Sequence, residues 1–405
     1  MEKELAGSST TTSIWQLPNH ILVDILSRLP IKSVIQCRCV CKSFLSAISQ
    51  DPDFPPLHLS RSPPELMLYQ QNIQSEHLYL VDDDDDNEQR YHHFNLVHLN
   101  RSHSLEPLNS TPGLLCFHQP FSLRPLVVLN PVTLEHTIIP TPMHSIHKFQ
   151  SHTLHFGFGY SPLTHRYKVL VIGHYIQSVD STTPTTRTLT AICTVGGLSS
   201  YWKIIQDAPQ VFSIRSSPVY LNGSLHWIVT NNSHYYILSF DFDNGKYREM
   251  ATPPPFDKVE EKKLDERVTT IVVFEGLLTV CVLIDHKRVD IWMMKEYGVD
   301  KSWSKEIVVE TPYHVWSSGV YPLKYLNKDK DSIVLAYMGH KTIVTYHLIE
   351  KMIINLNVLP FQNGGLKPLM HVPILLPLKD LIIGAHVRRI TDARHKWQRW
   401  MELEN

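Results

Sequence analysis

Between Ile14 and about Ile48 the apolar positions follow a helical period. Leu22, Ile25, Leu26 and Leu29 fall at i, i+3, i+4 and i+7, which places them on one stripe. Pro18 stands where a helix begins and a missing N–H costs little; Pro30 stops the run before Ser33 opens a second helix as its N-cap. That second helix turns Val34, Cys37 and Cys41 inward. A third, from Lys42 to about Ser49, buries Phe44 or Leu45 with Ile48, and the segment DPDFPP at 51–56 breaks the pattern. Three short helices make too small a core to stand alone, so either the rest of the chain or a partner must cover their apolar surface.

From Pro64 onward the pattern changes to short runs of strand-forming residues separated by turn signals, among them LVVLNP, YKVLVI, LTAICTV, SIVLAYM and TIVTYHL. In YYILSFDFDNGKY the residues Asp243, Asn244 and Gly245 mark a hairpin, since Asn and Gly tolerate positive φ. Helical spacing returns only in ITDARHKWQRW, where Ile390, Ala393, Trp397 and Trp400 share one side of a short amphipathic helix. The strand runs recur. Equivalent segments start at Gly113, Tyr167, Gly223, Gly276 and Ile333, roughly 53 to 57 residues apart, with an earlier unit near Met67. That interval suits one four-stranded propeller blade with its loops, and up to six blades fit. A pair of β-sandwiches is the competing architecture.

Composition narrows the function. The 405 residues are 43% hydrophobic and 19% charged, enough for a sizeable core in two or three domains, or in one small module plus a large one. A net charge of -1 gives no whole-chain attraction to nucleic acid or to an anionic membrane, so neither is expected as a partner. The amino terminus lacks the apolar core of a secretory signal, and no apolar run is long enough to span a bilayer. A reducing cytoplasmic or nuclear location follows as the expectation. There the six cysteines carry no disulfide signal, and the N-x-[ST] matches at Asn109, Asn222 and Asn231 are read as chance.

Cys37, Cys39 and Cys41 invite a metal or redox reading. On a helix, however, residues i and i+2 point about 200° apart, so the three cannot converge on one ion, and free cysteine packs as a small hydrophobe. The acidic run DDDDDNE at 82–88 lacks the glycine and spaced acids of a calcium loop and is read as a solvated loop. His136, His144, His147, His152 and His155 lie close together without the spacing of a zinc site, and are assigned to ordinary hydrogen bonding. No nucleophile elbow, P-loop or dinucleotide fingerprint occurs, and Cys116, Cys193 and Cys281 read as strand core. The expectation is therefore a non-catalytic protein with no cofactor and no metal.

The segment LPNHILVDILSRLPIKSVIQCRCVCKSFLSAISQDPDF resembles an F-box, the three-helix motif that docks onto a Skp adaptor in cullin–RING ubiquitin ligases, and its RCVCK is typical of plant versions. The resemblance assigns adaptor contacts to Leu17, Pro18, Ile21, Ile25, Leu29, Pro30, Ile31, Val34, Arg38, Val40 and Phe44. Phe44 stands where a tryptophan is usual and Cys37 where a larger apolar residue is common. Phenylalanine keeps most of the aromatic area but lacks the indole donor, so a reduced adaptor affinity is expected. The segments GLLCF, VLNPVTLE, FGFGYSPLTHRYKVLVI, VYLNGSLHWIV, ILSFDFDNGKYREMATPPP and DIWMMKEYGVDKSWSKEI resemble the plant F-box-associated interaction domain, a kelch-like β region that usually presents the substrate.

The resulting expectation is an α+β multi-domain chain: a small three-helix F-box at 12–58, a mainly antiparallel kelch-like β-propeller of about six blades at 64–372, and a C-terminal strand and short helix at 373–405. The resemblance implies a substrate-recognition subunit of an SCF-type ubiquitin ligase. Its partners would be a Skp-type adaptor, through it cullin and RING subunits, and an unidentified protein bound for ubiquitination and degradation. Tyr235, Tyr236, Tyr313, Trp316 and Tyr321 are the aromatic candidates for target contact, because Trp and Tyr dominate interface hot spots, with a place in the strand core the equal alternative for each. The alternative is a propeller binding module or enzyme whose N-terminal helices only pad the sheet. The two differ in whether the helical stripe is buried within the chain or left exposed.

Overall fold

The computed structural model describes residues 17–390 apart from 72–75, 82–90, 96–104, 120–124, 141–153, 178–184, 197–200, 207, 211–212, 232–233, 255–268, 285–287, 311–318, 327, 338–341 and 359–364. Four short helices come first: α1 (Asn19–Leu26), α2 (Ile31–Val40), α3 (Lys42–Ser49) and α4 (Phe54–Arg61). The fourth was not expected from DPDFPP. Pro55 and Pro56 fall in its first turn, where backbone N–H groups have no intrahelical partner to lose, so the prolines start a helix here. The expected boundary at 58 therefore lies inside α4. Likewise α2 begins directly after Pro30, at φ −55°, and Ser33 sits within its first turn instead of capping it.

Cys41 separates α2 from α3. Its backbone is extended at φ −157°, and its Sγ accepts the Phe44 N–H at 3.5 Å, which makes it the N-cap of α3. Leu22, Leu26, Val34, Phe44, Ala47, Ile48 and Phe54 fill the core between the helices. Arg61 closes α4 onto α1, donating to the Asp24 carbonyl at 3.1 Å and to Ser27 Oγ at 2.6 Å.

Six antiparallel sheets follow, arranged as blades around an axis. Blade 1 holds β1 (Glu65–Gln71), β2 (Glu76–Val81) and β3 (Tyr91–Asn95). Blade 2 holds β4 (Glu106–Thr111), β5 (Leu114–His118), β6 (Leu126–Asn130) and β7 (Glu135–Ile139). Blade 3 holds β8 (Leu154–Ser161), β9 (Arg166–Gln177), β10 (Thr185–Thr194) and β11 (Trp202–Ile205). Blade 4 holds β12 (Ser213–Ile214), β13 (Val219–Leu221), β14 (Ser224–Asn231), β15 (His234–Asp241) and β16 (Tyr247–Ala251). Blade 5 holds β17 (Thr269–Phe274), β18 (Leu277–Ile284), β19 (Arg288–Met294) and β20 (Trp303–Glu310). Blade 6 holds β21 (Val320–Tyr325), β22 (Ser332–Tyr337), β23 (Thr342–His347) and β24 (Met352–Val358). The ring closes when β25 (Gly365–His371) pairs with β1 in register Glu65↔His371 to Gln71↔Gly365, supplying the first strand of blade 1.

Blade strands are apolar on both faces because each face meets a neighbouring blade. In β5, Leu115 and Phe117 enter the layer between blades 1 and 2, while Leu114 and Cys116 enter the layer between blades 2 and 3. Similar layers join blades 3 and 4, 4 and 5, and 5 and 6. A smaller layer of Leu68, Leu323, Val334, Ala336 and Ile343 joins blade 6 back to blade 1, so the sandwich alternative does not hold. Polar ties reinforce the layers. Asn109 on β4 donates to the Phe158 carbonyl at 2.7 Å and accepts the Phe158 N–H at 2.9 Å. The indoles of Trp202 and Trp303 each donate at 2.9 Å to the preceding blade, at Pro140 and Ala251.

The sequence repeat now has a meaning. The segments near Met67, Gly113, Tyr167, Gly223, Gly276 and Ile333 are the second strands of the six blades in order. Two of the turns leading into them, Asn222–Gly223 (φ 49° and 76°) and Glu275–Gly276 (φ 51° and 73°), need positive φ at both positions, as a type I′ hairpin does. In the Asp241–Tyr247 turn only Gly245 takes positive φ, at 69°, and Asn244 does not.

After β25 the chain crosses the edge of blade 2. It forms α5 (Leu378–Leu381) and then β26 (Arg388–Arg389), which pairs with β7. Two buried side chains of blade 2 hold this strap: Asn130 donates to the Leu376 carbonyl at 2.9 Å, and Glu135 accepts the Leu378 N–H at 2.7 Å and Arg389 at 2.8 Å. Ile390 is buried; the rest of the helix expected over 390–400 lies outside the described residues.

Candidate functional site

Helix α1 presents two apolar faces. Leu22, Val23 and Leu26 point into the helical core, whereas Ile21 and Ile25 remain 38% and 40% exposed with the whole chain present. Val40 at 55% and Leu45 at 40% exposure add apolar surface from the ends of α2 and α3. Pro18, Pro30 and Arg38 are exposed as well, and Leu17 and Leu29 are half-buried. The remaining candidates behave differently. Ile31, Val34 and Phe44 are buried within the chain, so they shape the helical module and offer no contact surface in this state. Leu45 was missed because Phe44 and Leu45 lie at i−4 and i−3 from Ile48, and helical spacing admits either as the inward residue.

The cysteines are packing and capping groups. Cys39 is exposed, Cys37 and Cys41 are half-buried against the helical core, and burial followed by the proximity of Cys41 raises the Cys37 thiol pKa. Among the described residues no group of three His, Cys, Asp or Glu side chains could hold a metal ion. His136 is buried and His155 half-buried, while His144, His147 and His152, like the acidic run 82–88, lie outside the described residues. Cys116, Cys193 and Cys281 are buried strand residues.

The helical module stands over one mouth of the axis. Pro30, Lys32, Ser33, Pro63 and Pro64 face the turns that join first to second strands, at Pro112, Asn222 and Gly276. The links from second to third strands and from each blade to the next therefore leave the described strands at the opposite face. Of the aromatic candidates, Tyr235 and Tyr236 are half-buried on β15 and pack into the layers on either side of blade 4. Tyr321, half-buried on β21, lines the axial channel. Tyr313 and Trp316 lie outside the described residues. The described three are partly packed into the blade layers, the strand-core placement the sequence left equally open.

The F-box domain model matches residues 14–55, and the F-box associated beta propeller domain model matches residues 65–370. The chain belongs to the F-box associated beta propeller family. It is a plant F-box protein, similar to F-box protein At3g07870 of Arabidopsis thaliana, at 28% identity over 76% of each chain, and to F-box protein CPR1 of the same plant, at 27% over 84% of each. It also resembles the Arabidopsis F-box/kelch-repeat protein At3g23880, at 24% identity over 71% of this chain and 78% of that one. An F-box joined to such a propeller supports a substrate-recognition role in SCF complexes in general, and F-box proteins are typically non-catalytic subunits there. No helix among the described residues is long and apolar enough to cross a membrane.

Proposed function

We propose that this chain docks a Skp-type adaptor through the outward face of its first three helices and holds a target protein on the propeller, so that the target is ubiquitinated and degraded. The observation that carries the reading is the second apolar face of α1. A helix that only padded the sheet would bury Ile21 and Ile25, and a monomer gains nothing by leaving them, Val40 and Leu45 in water. Pro18, Ile21, Ile25 and Val40 form the contact surface, and Ile31, Val34 and Phe44 hold its shape from beneath. Cullin and RING subunits are reached through the adaptor, in the cytoplasm or nucleus.

The mechanism is positional. A receptor that binds adaptor and target together raises the target's concentration near the ubiquitin-charged enzyme without touching the reacting bond. Because the helices occupy one mouth of the ring, the target falls to the opposite face, where connections on a rigid sheet scaffold carry the contacts. Co-purification of the full chain with a plant Skp adaptor tests this, beside an Ile21→Asp, Ile25→Asp double variant whose circular dichroism melt matches the wild type. Stoichiometric capture, weakened at least tenfold in the variant, is expected. A folded wild-type chain that captures no adaptor would sink the reading.

A further inference from the structure

Helix α4 lies beyond the three helices that carry the adaptor contacts, yet it grips the corner between the first two. Only Ser27, Arg28, Leu29 and Pro30 turn the chain from α1 into α2. The last turn of α1 leaves carbonyls without intrahelical donors, so this corner relies on side chains for hydrogen bonds. Two of them come from α4, three residues apart on one face. Arg61 Nη1 donates to the Asp24 carbonyl at 3.1 Å and to Oγ of the fully buried Ser27 at 2.6 Å, and pairs with the Asp24 carboxylate at 2.8 Å. His58 Nε2 lies 3.0 Å from the Leu29 carbonyl, one residue before Pro30.

His58 is itself held in place. It is 1% exposed and stacks on the buried Phe54, with ring centroids 5.7 Å apart. A carbonyl only accepts, so Nε2 carries the proton and donates to Leu29. Ser62 Oγ stands 3.1 Å from each ring nitrogen and donates to Nδ1, the acceptor in that tautomer. Burial lowers the His58 pKa, which keeps the ring neutral. Hydrogen bonds thus run from Ser62 through the imidazole to the corner. From Ser62 only Pro63 and Pro64, each with φ fixed by its ring, lead into β1. Leu375, from the strap that follows ring closure, packs against the same helical core.

Resting on the adaptor docking argued above, we propose that His58 and Arg61 are positioning residues for it: without joining the contact surface, they hold Leu29, Pro30 and the last turn of α1, which bears Ile25, in the shape the adaptor meets. Docking then depends on a helix fastened to the ring, and the three adaptor-contacting helices alone do not fix their own docking face.

Combining His58→Phe with Arg61→Met removes the polar contacts and keeps the stacked ring and the aliphatic stem. Titration calorimetry of the full chain with a plant Skp adaptor is expected to give an affinity about tenfold below wild type, as for a corner that holds the docking shape a tenth of the time. Amide exchange at Ser27, Arg28 and Leu29 should quicken while α3 keeps its wild-type protection, the sign of a folded module. Combining His58→Gln with Arg61→Lys returns a donor at each position and should recover most of the affinity. If the first pair costs α3 its protection, Arg61→Met alone, at a side chain 28% exposed, must weaken capture about threefold or more with α3 protected. Wild-type affinity in the folded variant, or a loss that the conservative pair does not relieve, overturns this proposal and leaves adaptor docking standing. No capture by the wild-type chain removes docking itself, and this proposal with it.

Discussion

Asn109 gives the sharpest test of how the ring is held. Its side chain is 5% exposed and does what a strand backbone would do, donating to the Phe158 carbonyl and accepting the Phe158 N–H across the gap between blades 2 and 3. Asn109→Leu keeps the volume and removes both bonds. Two backbone groups of Phe158, whose residue is fully buried, are then left without partners. Each orphaned group costs about 1–3 kcal/mol, so the variant is expected to lose about 2–6 kcal/mol. At a few degrees per kcal/mol for a domain of this size, that lowers the melting temperature by roughly 5–15 °C. Parallel thermal melts of wild type and variant, followed by far-ultraviolet circular dichroism, read the shift. A variant melting within about 1 °C of wild type would refute the reasoning, because the two bonds would then be energetically idle. Adaptor capture by the folded variant should be unchanged, since the helical module lies apart from this gap. The same burial leaves Asn109 unavailable as a glycosylation acceptor in the folded chain.

Two further predictions concern buried titratable groups. His226 and His371 are fully buried, and desolvation pushes their pKa values down to about 4 and about 3. In the unfolded chain both titrate near 6.5, so below that pH the unfolded state takes up protons first and stability falls. The loss approaches about 3 kcal/mol per pH unit between pH 6 and 4, with no contribution from either group well above pH 7. Urea midpoints at pH 7.5 and pH 5 measure it; equal midpoints would contradict it, and His226→Asn should remove that residue's own share of the slope, about 1.4 kcal/mol per pH unit. Thiol labelling is the other. Burial raises the thiol pKa values of Cys116, Cys193 and Cys281, that of Cys193 to about 12, so only the cysteines of the helical module should react with an aromatic disulfide reagent in the native chain. A fourth native thiol reacting at a comparable rate would show that a blade layer opens readily.

The blades were legible because each second strand is buried on both faces. That requirement writes a near-continuous apolar run into every unit, as in GLLCF and SIVLAYM, at a nearly constant interval. The closing strand was not legible in the same way. LKPLMH carries a lysine and a proline, and nothing local marks it as the partner of residues 65–71. In the helices, spacing put Leu22, Ile25 and Leu26 on one stripe, whereas the fold buries Leu22 and Leu26 and leaves Ile25 exposed. Where two neighbouring faces of one helix are both apolar, periodicity cannot separate core from surface. α4 was hidden by prolines that read as breakers but sit where a helix tolerates them. Asn130 and Glu135, which hold the C-terminal strap, looked like ordinary turn residues of VLNPVTLE because their partners lie some 240 residues away.

The pairing of β25 with β1 has a consequence for biosynthesis. Residues 65–71 leave the ribosome long before residues 365–371, so for about 300 residues of further synthesis β1 has no neighbour on its inner edge. At ordinary elongation rates that interval is roughly 15–60 s. Throughout it, a half-made ring offers a strand edge and an open layer of apolar side chains to every other nascent chain nearby. Ring closure thus waits for residues 365–371, and the speed of the ribosome over the final blades sets how long each molecule spends in its most aggregation-prone form.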